Sequence, residues 1–325
     1  MRLKIGTRGS KLALWQAHYI AEKLQAGEVD SEIVIISTRG DKRQDVTIAE
    51  IGTRGVFTEE IEEQLQQKTI DLAVHSAKDL QSSLSDDFEI IAFTEREHTA
   101  DVLVSHQSNF SLQSNRSLIV GTSSVRRRAL LKHYFPHIDM VDMRGNLQSR
   151  MAKMEAGQCD ALMLAYAGVR RMQYDKSIVH QFPLDRMIPA VGQGSVAVEV
   201  LTSLSSDKKE TIRRLINHET TEQQLRAERA YLKALRGGCS VPVFALATTQ
   251  VGNIQLQGGV VRLDGKILLQ DVAIGDEQQP EKIGNTLAEK IIFQGGNQIL
   301  DSIRVCLLST IVIISCKFKA IWNIK

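Results

Sequence analysis

The chain has 325 residues, 43% of them hydrophobic and 24% charged, with a formal net charge of +2. That balance excludes a collagen, a disordered polyelectrolyte and a coiled coil, and it supplies no global field for steering onto nucleic acid or anionic lipid. The length predicts two or three domains, and any anion binding has to come from local arginine placement.

The first two thirds alternate short β-branched runs with helical periodicity, the pattern of strands joined by crossover helices in an α/β arrangement. Strands are predicted at Leu3 to Ile5, Glu32 to Ser37, Leu72 to His75, Ile90 to Phe93, Val102 to Ser105, Leu118 to Val120 and Ala161 to Ala165. Helices are predicted at Leu12 to Leu24, Phe57 to Gln66, Val125 to Tyr134 and Leu147 to Ala156. The layout is two α/β lobes, residues 1–95 with 195–217 and residues 99–190. Val196 to Val200, after the glycine-rich Pro189-Ala190-Val191-Gly192-Gln193-Gly194, returns the chain to the first lobe, and two crossings make a hinge. A small α+β third domain is expected over 220–325, with a helix at Glu222 to Leu235. Asp264-Gly265 between the apolar runs Gly259 to Leu263 and Lys266 to Gln270 is a hairpin signal.

The segment Val305 to Cys316 is apolar but shorter than the roughly 20 residues a spanning helix needs, so it reads as packed rather than inserted. The tail after 304 is atypical of the rest. The N-terminal residues hold no apolar run long enough for a signal peptide, which makes the cytoplasm the expected location. The four cysteines, at 159, 239, 306 and 316, form no metal-spaced set and no disulfide framework, so no metal is expected and a reduced compartment fits.

Three strand ends carry anion chemistry. Gly6-Thr7-Arg8-Gly9-Ser10 lies between a strand and a helix, where Ser10 caps the helix and free backbone N–H groups face an anion beside Arg8. Gly121-Thr122-Ser123-Ser124-Val125-Arg126-Arg127-Arg128 repeats this in the second lobe. Arginines in a first helical turn oppose the helix dipole, which argues that a ligand's negative charge compensates them. Asp142-Met143-Arg144-Gly145-Asn146, followed by Arg150, sets two more guanidiniums across a helix start, and their planar forks suit carboxylates. A single such arginine is as readily a solvated or paired residue, but several at strand ends, where α/β sheets bind ligands, form a site.

His75-Ser76-Ala77-Lys78-Asp79 ends another strand and places a carboxylate next to an ammonium, suited to stabilising a developing cation or relaying a proton. A surface Lys-Asp pair is the plainer reading, and His75 reads as a satisfied strand histidine rather than a base. In Arg236-Gly237-Gly238-Cys239 a helix is broken by two glycines, which turns Cys239 from a buried inert thiol towards an accessible nucleophile or attachment point, with Arg236 favouring its thiolate.

These segments, together with Thr38-Arg39-Gly40-Asp41, resemble the porphobilinogen deaminase family in order and spacing over roughly residues 1 to 300. The resemblance implies two periplasmic-binding-protein-like lobes plus a small α+β third domain, and a monomer. It implies a dipyrromethane cofactor held by a thioether to Cys239, with Asp79 at the pyrrole N–H groups assisting ammonia loss from porphobilinogen. Four porphobilinogen molecules would be joined head to tail and hydroxymethylbilane released by water, in tetrapyrrole (haem) biosynthesis. Substrate and cofactor carboxylates would be met by Arg8, Arg126, Arg127, Arg144 and Arg150, assisted by Ser10, Ser76, Lys78, Thr122, Ser123, Ser124 and Gly145. Thr47 to Phe57 resembles the family's active-site loop. Gln81 departs from the family's proline after the Lys-Asp pair and is expected to loosen that turn, and Glu50 and Arg54 stand where lysines are common.

Two other readings share parts of this pattern. A two-lobed solute-binding protein for small carboxylates would have the fold and the anion sites without catalysis, but the third domain with its Gly-Gly-Cys turn counts against it. A nucleic-acid binder could use Arg126 to Arg128, yet there is no basic excess and aromatics are only 5%.

Overall fold

The structure is a computed structural model and describes residues 1–38, 58–107, 110–112, 117–238 and 240–305. Leu3 and Ile5 alternate with exposed Arg2 and Lys4 to make strand β1 (Arg2–Arg8). Ser10 then starts helix α1 (Lys11–Ala26) by accepting a hydrogen bond from the Ala13 N–H. The first lobe continues with β2 (Asp30–Ile36), α2 (Glu59–Gln66), β3 (Leu72–Ser76) and β4 (Phe88–Phe93). The second carries β5 (Asp101–Val104), β6 (Ile119–Gly121), α3 (Val125–Tyr134), β7 (Asp139–Val141), α4 (Leu147–Glu155), β8 (Ala161–Ala165), α5 (Tyr166–Arg171) and β9 (Ile178–Gln181). The chain returns as β10 (Val196–Leu201) and α6 (Ser206–Ile216). It then builds α7 (Glu219–Ala234), β11 (Val243–Gln250), β12 (Asn253–Val261), β13 (Leu268–Asp276) and α8 (Pro280–Phe293).

The two lobes share one topology. In the first sheet, ordered β2-β1-β3-β10-β4, β1 runs parallel to β2 and β3 while β10 is antiparallel to β3 and β4. The second, ordered β7-β6-β8-β5-β9, repeats this with β6 parallel to its two neighbours and β5 antiparallel to β8 and β9. In each lobe the antiparallel strand is the one that follows a crossing, so each crossing feeds the centre of a sheet. β11, β12 and β13 form a separate antiparallel sheet packed with α7 and α8, which gives the expected two α/β lobes and small α+β third domain.

The crossings lie side by side. Thr94 N donates to Val196 O at 2.9 Å, Ser195 Oγ to Thr94 O at 2.9 Å, and Arg96 Nε to Gln193 O at 2.9 Å. Gly194 holds φ +101° in this bundle, and a Cβ there would lie 2.4 Å from Glu97 O, so only glycine fits.

The third domain joins the second lobe through a shared apolar core, in which Phe244, Leu246 and Val261 pack with Leu130, Phe182 and Ile188. Its predicted hairpin forms, but the bend is longer than two residues: Val261 and Leu268 are the last pair, closed by Arg262 N to Ile267 O at 2.8 Å. The physical reason is docking. Gly265, at φ +75°, sits against the end of α3, where Lys132 Nζ donates to Leu263 O at 3.1 Å and His133 Nδ1 to Gly265 O at 2.7 Å.

Candidate active site

A cleft opens at the carboxyl ends of β1 and β3, as expected for an open α/β sheet. It is lined by Arg8, Ser10, Leu12, Ala13, Gln16, Thr58, Val74, His75, Ser76 and Asp79. Gln16 Nε2 donates to Ser76 Oγ at 2.9 Å, fixing α1 to the end of β3. After Ser76 the chain makes a single helical turn, Ala77–Asp79, which carries Lys78 and Asp79. Gln81 does not leave this turn loose: its Nε2 donates to Thr58 Oγ1 at 3.4 Å and its carbonyl accepts from Arg229 at 2.8 Å.

The second lobe brings its strand-end residues as turn architecture. Thr122 Oγ1 accepts from Ser124 N at 3.3 Å, Ser123 Oγ from Met143 N at 3.1 Å, and Ser124 caps α3 by accepting from Arg127 N at 3.4 Å. Asn146 caps α4, the helix that carries Arg150, and Gly145 before it takes φ +109°. Arg144 Nε donates to Asp142 at 2.7 Å, and together with Ser123 it holds that carboxyl below its usual range, although burial works against it.

Arg126 and Arg127 share a partner within the chain, one carboxylate between two guanidiniums. Both are buried, and their counter-charge comes from within the chain, from Asp101 at the start of β5. Arg126 Nη2 meets Asp101 Oδ2 at 2.7 Å, while Arg127 Nε and Nη2 meet Oδ1 at 3.0 and 2.7 Å. Burial alone would raise the Asp101 carboxyl, but the two guanidiniums hold it well below the usual carboxylate range. Sequence reasoning missed Asp101, since one aspartate before an apolar strand carries no local mark.

Gln193 ties this pair to the first lobe. Its Nε2 donates to Asp101 Oδ1 at 3.0 Å and to Thr99 O at 2.6 Å, and its Oε1 accepts from Lys78 Nζ at 3.4 Å. Lys78 is driven down to about 8 by burial and then by Arg127, with Asp79 and Asp101 opposing. Arg150 is likewise driven down to about 10 by burial and Arg127, again opposed by Asp79, and its buried Nε has no hydrogen-bond partner. Among the described residues, Lys78, Arg126, Arg127 and Arg150 are thus set against Asp79 and Asp101, four cations to two carboxylates.

Arg171 was not expected either. Its Nη2 donates to Gly194 O at 2.7 Å and its guanidinium lies 5.2 Å from the Trp15 ring centroid, so α5 of one lobe touches α1 of the other. Its position just past the end of β8 was the available signal. The expected residues Cys239, Arg39 to Asp41, Glu50 and Arg54, with the whole 47–57 loop and the tail beyond 305, lie outside the described residues. Next to Cys239, Gly238 is exposed with open space around its α-carbon.

Comparison with known proteins decides the family. Residues 3–210 match the family model described as porphobilinogen deaminase, dipyromethane cofactor binding domain, and residues 223–292 match the C-terminal domain of the same family. The chain belongs to the porphobilinogen deaminase family. A porphobilinogen deaminase from Desulfosudis oleivorans is 49% identical over 305 residues, covering 94% of this chain and 98% of the relative. One from Cytophaga hutchinsonii is 50% identical over 302 residues, 93% of this chain and 97% of the relative. Among solved structures, the second substrate binding domain of a putative amino acid ABC transporter from Streptococcus pneumoniae aligns over 72% of this chain and 94% of that one. Its identity is 14% and its TM-score 0.41.

The family's cofactor, a dipyrrole bearing carboxylate side chains, fits the residues present. An unpartnered buried guanidinium nitrogen on Arg150, a depressed Lys78 ammonium and an excess of cations over carboxylates are what a polyanionic ligand completes.

Proposed function

We propose that this chain is a hydroxymethylbilane synthase, a transferase that joins four porphobilinogen molecules head to tail with loss of ammonia and releases hydroxymethylbilane by hydrolysis. The observation that carries this reading is Asp79 on the wall of a cleft, interacting with Lys78 and Arg150 in a cluster that holds more cations than carboxylates. Its carboxylate accepts hydrogen bonds from pyrrole N–H groups and balances the positive charge that develops on the substrate as ammonia departs. Lys78, Arg150 and Arg8 take the acetate and propionate groups, while Ser10, Ser76, Thr122, Ser123 and Ser124 offer hydroxyls.

Arg126 and Arg127, paired with Asp101, and Arg144 add positive charge for these carboxylates from the second lobe, where Gly145 shapes the binding turn. Cys239 holds the dipyrromethane by a thioether, and when bound that group supplies the pyrrole whose free α-carbon is the nucleophile. The division into 1–95 with 195–217, 99–190 and 220–325 belongs to the same reading and is supported by the three separate sheets. So do a monomeric state, a cytoplasmic location and the absence of nucleic-acid and membrane partners; among the described residues no helix is long and apolar enough to cross a membrane.

Intact mass of protein from a host that makes porphobilinogen tests the attachment. An adduct of two pyrrole units is expected, lost in Cys239→Ser; active protein with the mass of the bare chain defeats the covalent cofactor. Asp79→Asn is expected to keep the adduct and lose turnover by about a hundredfold or more. Near-normal turnover would remove Asp79 from the chemistry.

A further inference from the structure

In the first sheet, a buried imidazole and a buried carboxylate face each other, a pair to which the reaction above gives no task. His75 on β3 lies opposite Ala197 on β10, so Glu199, two residues further along β10, shares its face of the sheet. His75 Nε2 stands 3.0 Å from Glu199 Oε2, and the side chains are 5% and 0% exposed. The approach is not aligned as a hydrogen bond, and Nε2 and both Glu199 oxygens have no aligned partner. A carboxylate buried this way is costly and has no packing role that an apolar strand residue would not fill better.

Two ionisable groups face it. Glu62 of α2 approaches from one side, its carboxyl raised above the usual range by burial and further by Glu199. Arg229 of α7 approaches from the other, with its Nη2 spent on Gln81 O at 2.8 Å. His75 also lines the cleft, beside Ser76 and Asp79, and is the one imidazole among the described residues lining it. With Nε2 turned to Glu199, Nδ1 is the ring nitrogen that this carboxylate leaves free. A carboxylate behind one imidazole nitrogen fixes the tautomer and supports the imidazolium that forms when the other nitrogen takes a proton.

We propose that His75, held by Glu199, accepts the proton that leaves the pyrrole α-carbon as each new C–C bond is made. The proposal rests on the function given above. Porphobilinogen enters as an ammonium, and its C–N bond breaks with the electron pair leaving on ammonia. The α-carbon of the attacked ring forms the C–C bond, its C–H bond breaks, and that electron pair restores the ring. The proton goes to His75 Nδ1 and leaves with the released ammonia, so the net product besides the longer chain is ammonium and no oxidant is required. Asp79 is occupied at the N–H groups while the positive charge exists, which is why a second group takes this proton.

The test uses His75→Gln and Glu199→Gln, with thermal melting and intact mass to establish folding and pyrrole loading. His75→Gln should load its pyrroles and slow by about a hundredfold. It should also show a primary isotope effect on porphobilinogen deuterated at the free α-carbon, one larger than in the unchanged enzyme. Near-normal turnover, or slowing with no isotope effect, overturns the proposal. If His75→Gln does not fold, Glu199→Gln decides by the same isotope criterion, with a smaller loss of rate.

A readout free of turnover is the ¹⁵N spectrum of His75 in the purified protein. Protonated Nε2 with bare Nδ1 is expected, lost in Glu199→Gln, and the opposite tautomer overturns the assignment. An unchanged enzyme that makes no hydroxymethylbilane would sink the function itself, whereas an active one with ordinary variants sinks only His75.

Discussion

Asp101 and Asp79 each face two cations, and they differ in whether the chain's own hydrogen bonds fill the carboxylate. Asp101 is fully buried and takes hydrogen bonds from Arg126, Arg127 and Gln193. Asp79 lies in the open cleft beside Lys78 and Arg150, one driven down to about 8 and the other with an unpartnered Nε. A carboxylate filled by the chain's own hydrogen bonds holds structure; one beside cations on the wall of a cleft is poised for a ligand. Gln193, bonded to both Lys78 and Asp101, keeps the two within one network.

Breaking the saturated centre should have the larger effect on stability. Asp101→Asn leaves two buried guanidiniums short of charge and is expected to cost about 3–5 kcal/mol in denaturant unfolding. A loss below about 1 kcal/mol would deny Asp101 its structural role. Its folded carboxyl is depressed, so the stability it contributes is complete above the ordinary aspartate value of 3.8 and is lost as pH falls below it. Asp79→Asn, by contrast, should take activity while leaving unfolding closer to the unchanged chain.

Lys78 sharpens the contrast through pH. With its ammonium driven down to about 8, the proton is present at neutral pH and leaves as pH rises through that value, so KM for porphobilinogen should climb above pH 8. Lys78→Met should raise KM at neutral pH and flatten that climb. A KM that still rises in the variant would assign the dependence to another group. The smallest effect belongs to the partly exposed Arg144–Asp142 pair: Arg144→Gln should change stability by no more than about 1 kcal/mol, and a greater loss would move Arg144 into the structural class.

Much of the lobes was legible because strand ends and helix starts are local. Ser10 and Ser124 cap their helices where the sequence placed helix starts. The second lobe's two edge strands were not legible: β7 has three residues and opens on an exposed Asp139, and β9 is only half-buried. Helix α8 was passed over although Pro280 at its start is a helix-initiation signal. In the site, Lys78, Asp79 and Arg150 came forward from their motifs. Asp101 and Glu199 did not, because each matters through a partner far along the chain, 25 residues away for Arg126 and 124 for His75.

The sequence by itself determined the family, the two-lobed α/β order with a third domain, and the strand-end turns that face anions, since these follow from periodicity, capping and turn chemistry within short windows. Only the tertiary structure decided which cations are already neutralised, that Gln193 joins the lobes, and that His75 faces a buried carboxylate. Charge compensation depends on distances and burial set when separate strands align, and no local pattern carries that information.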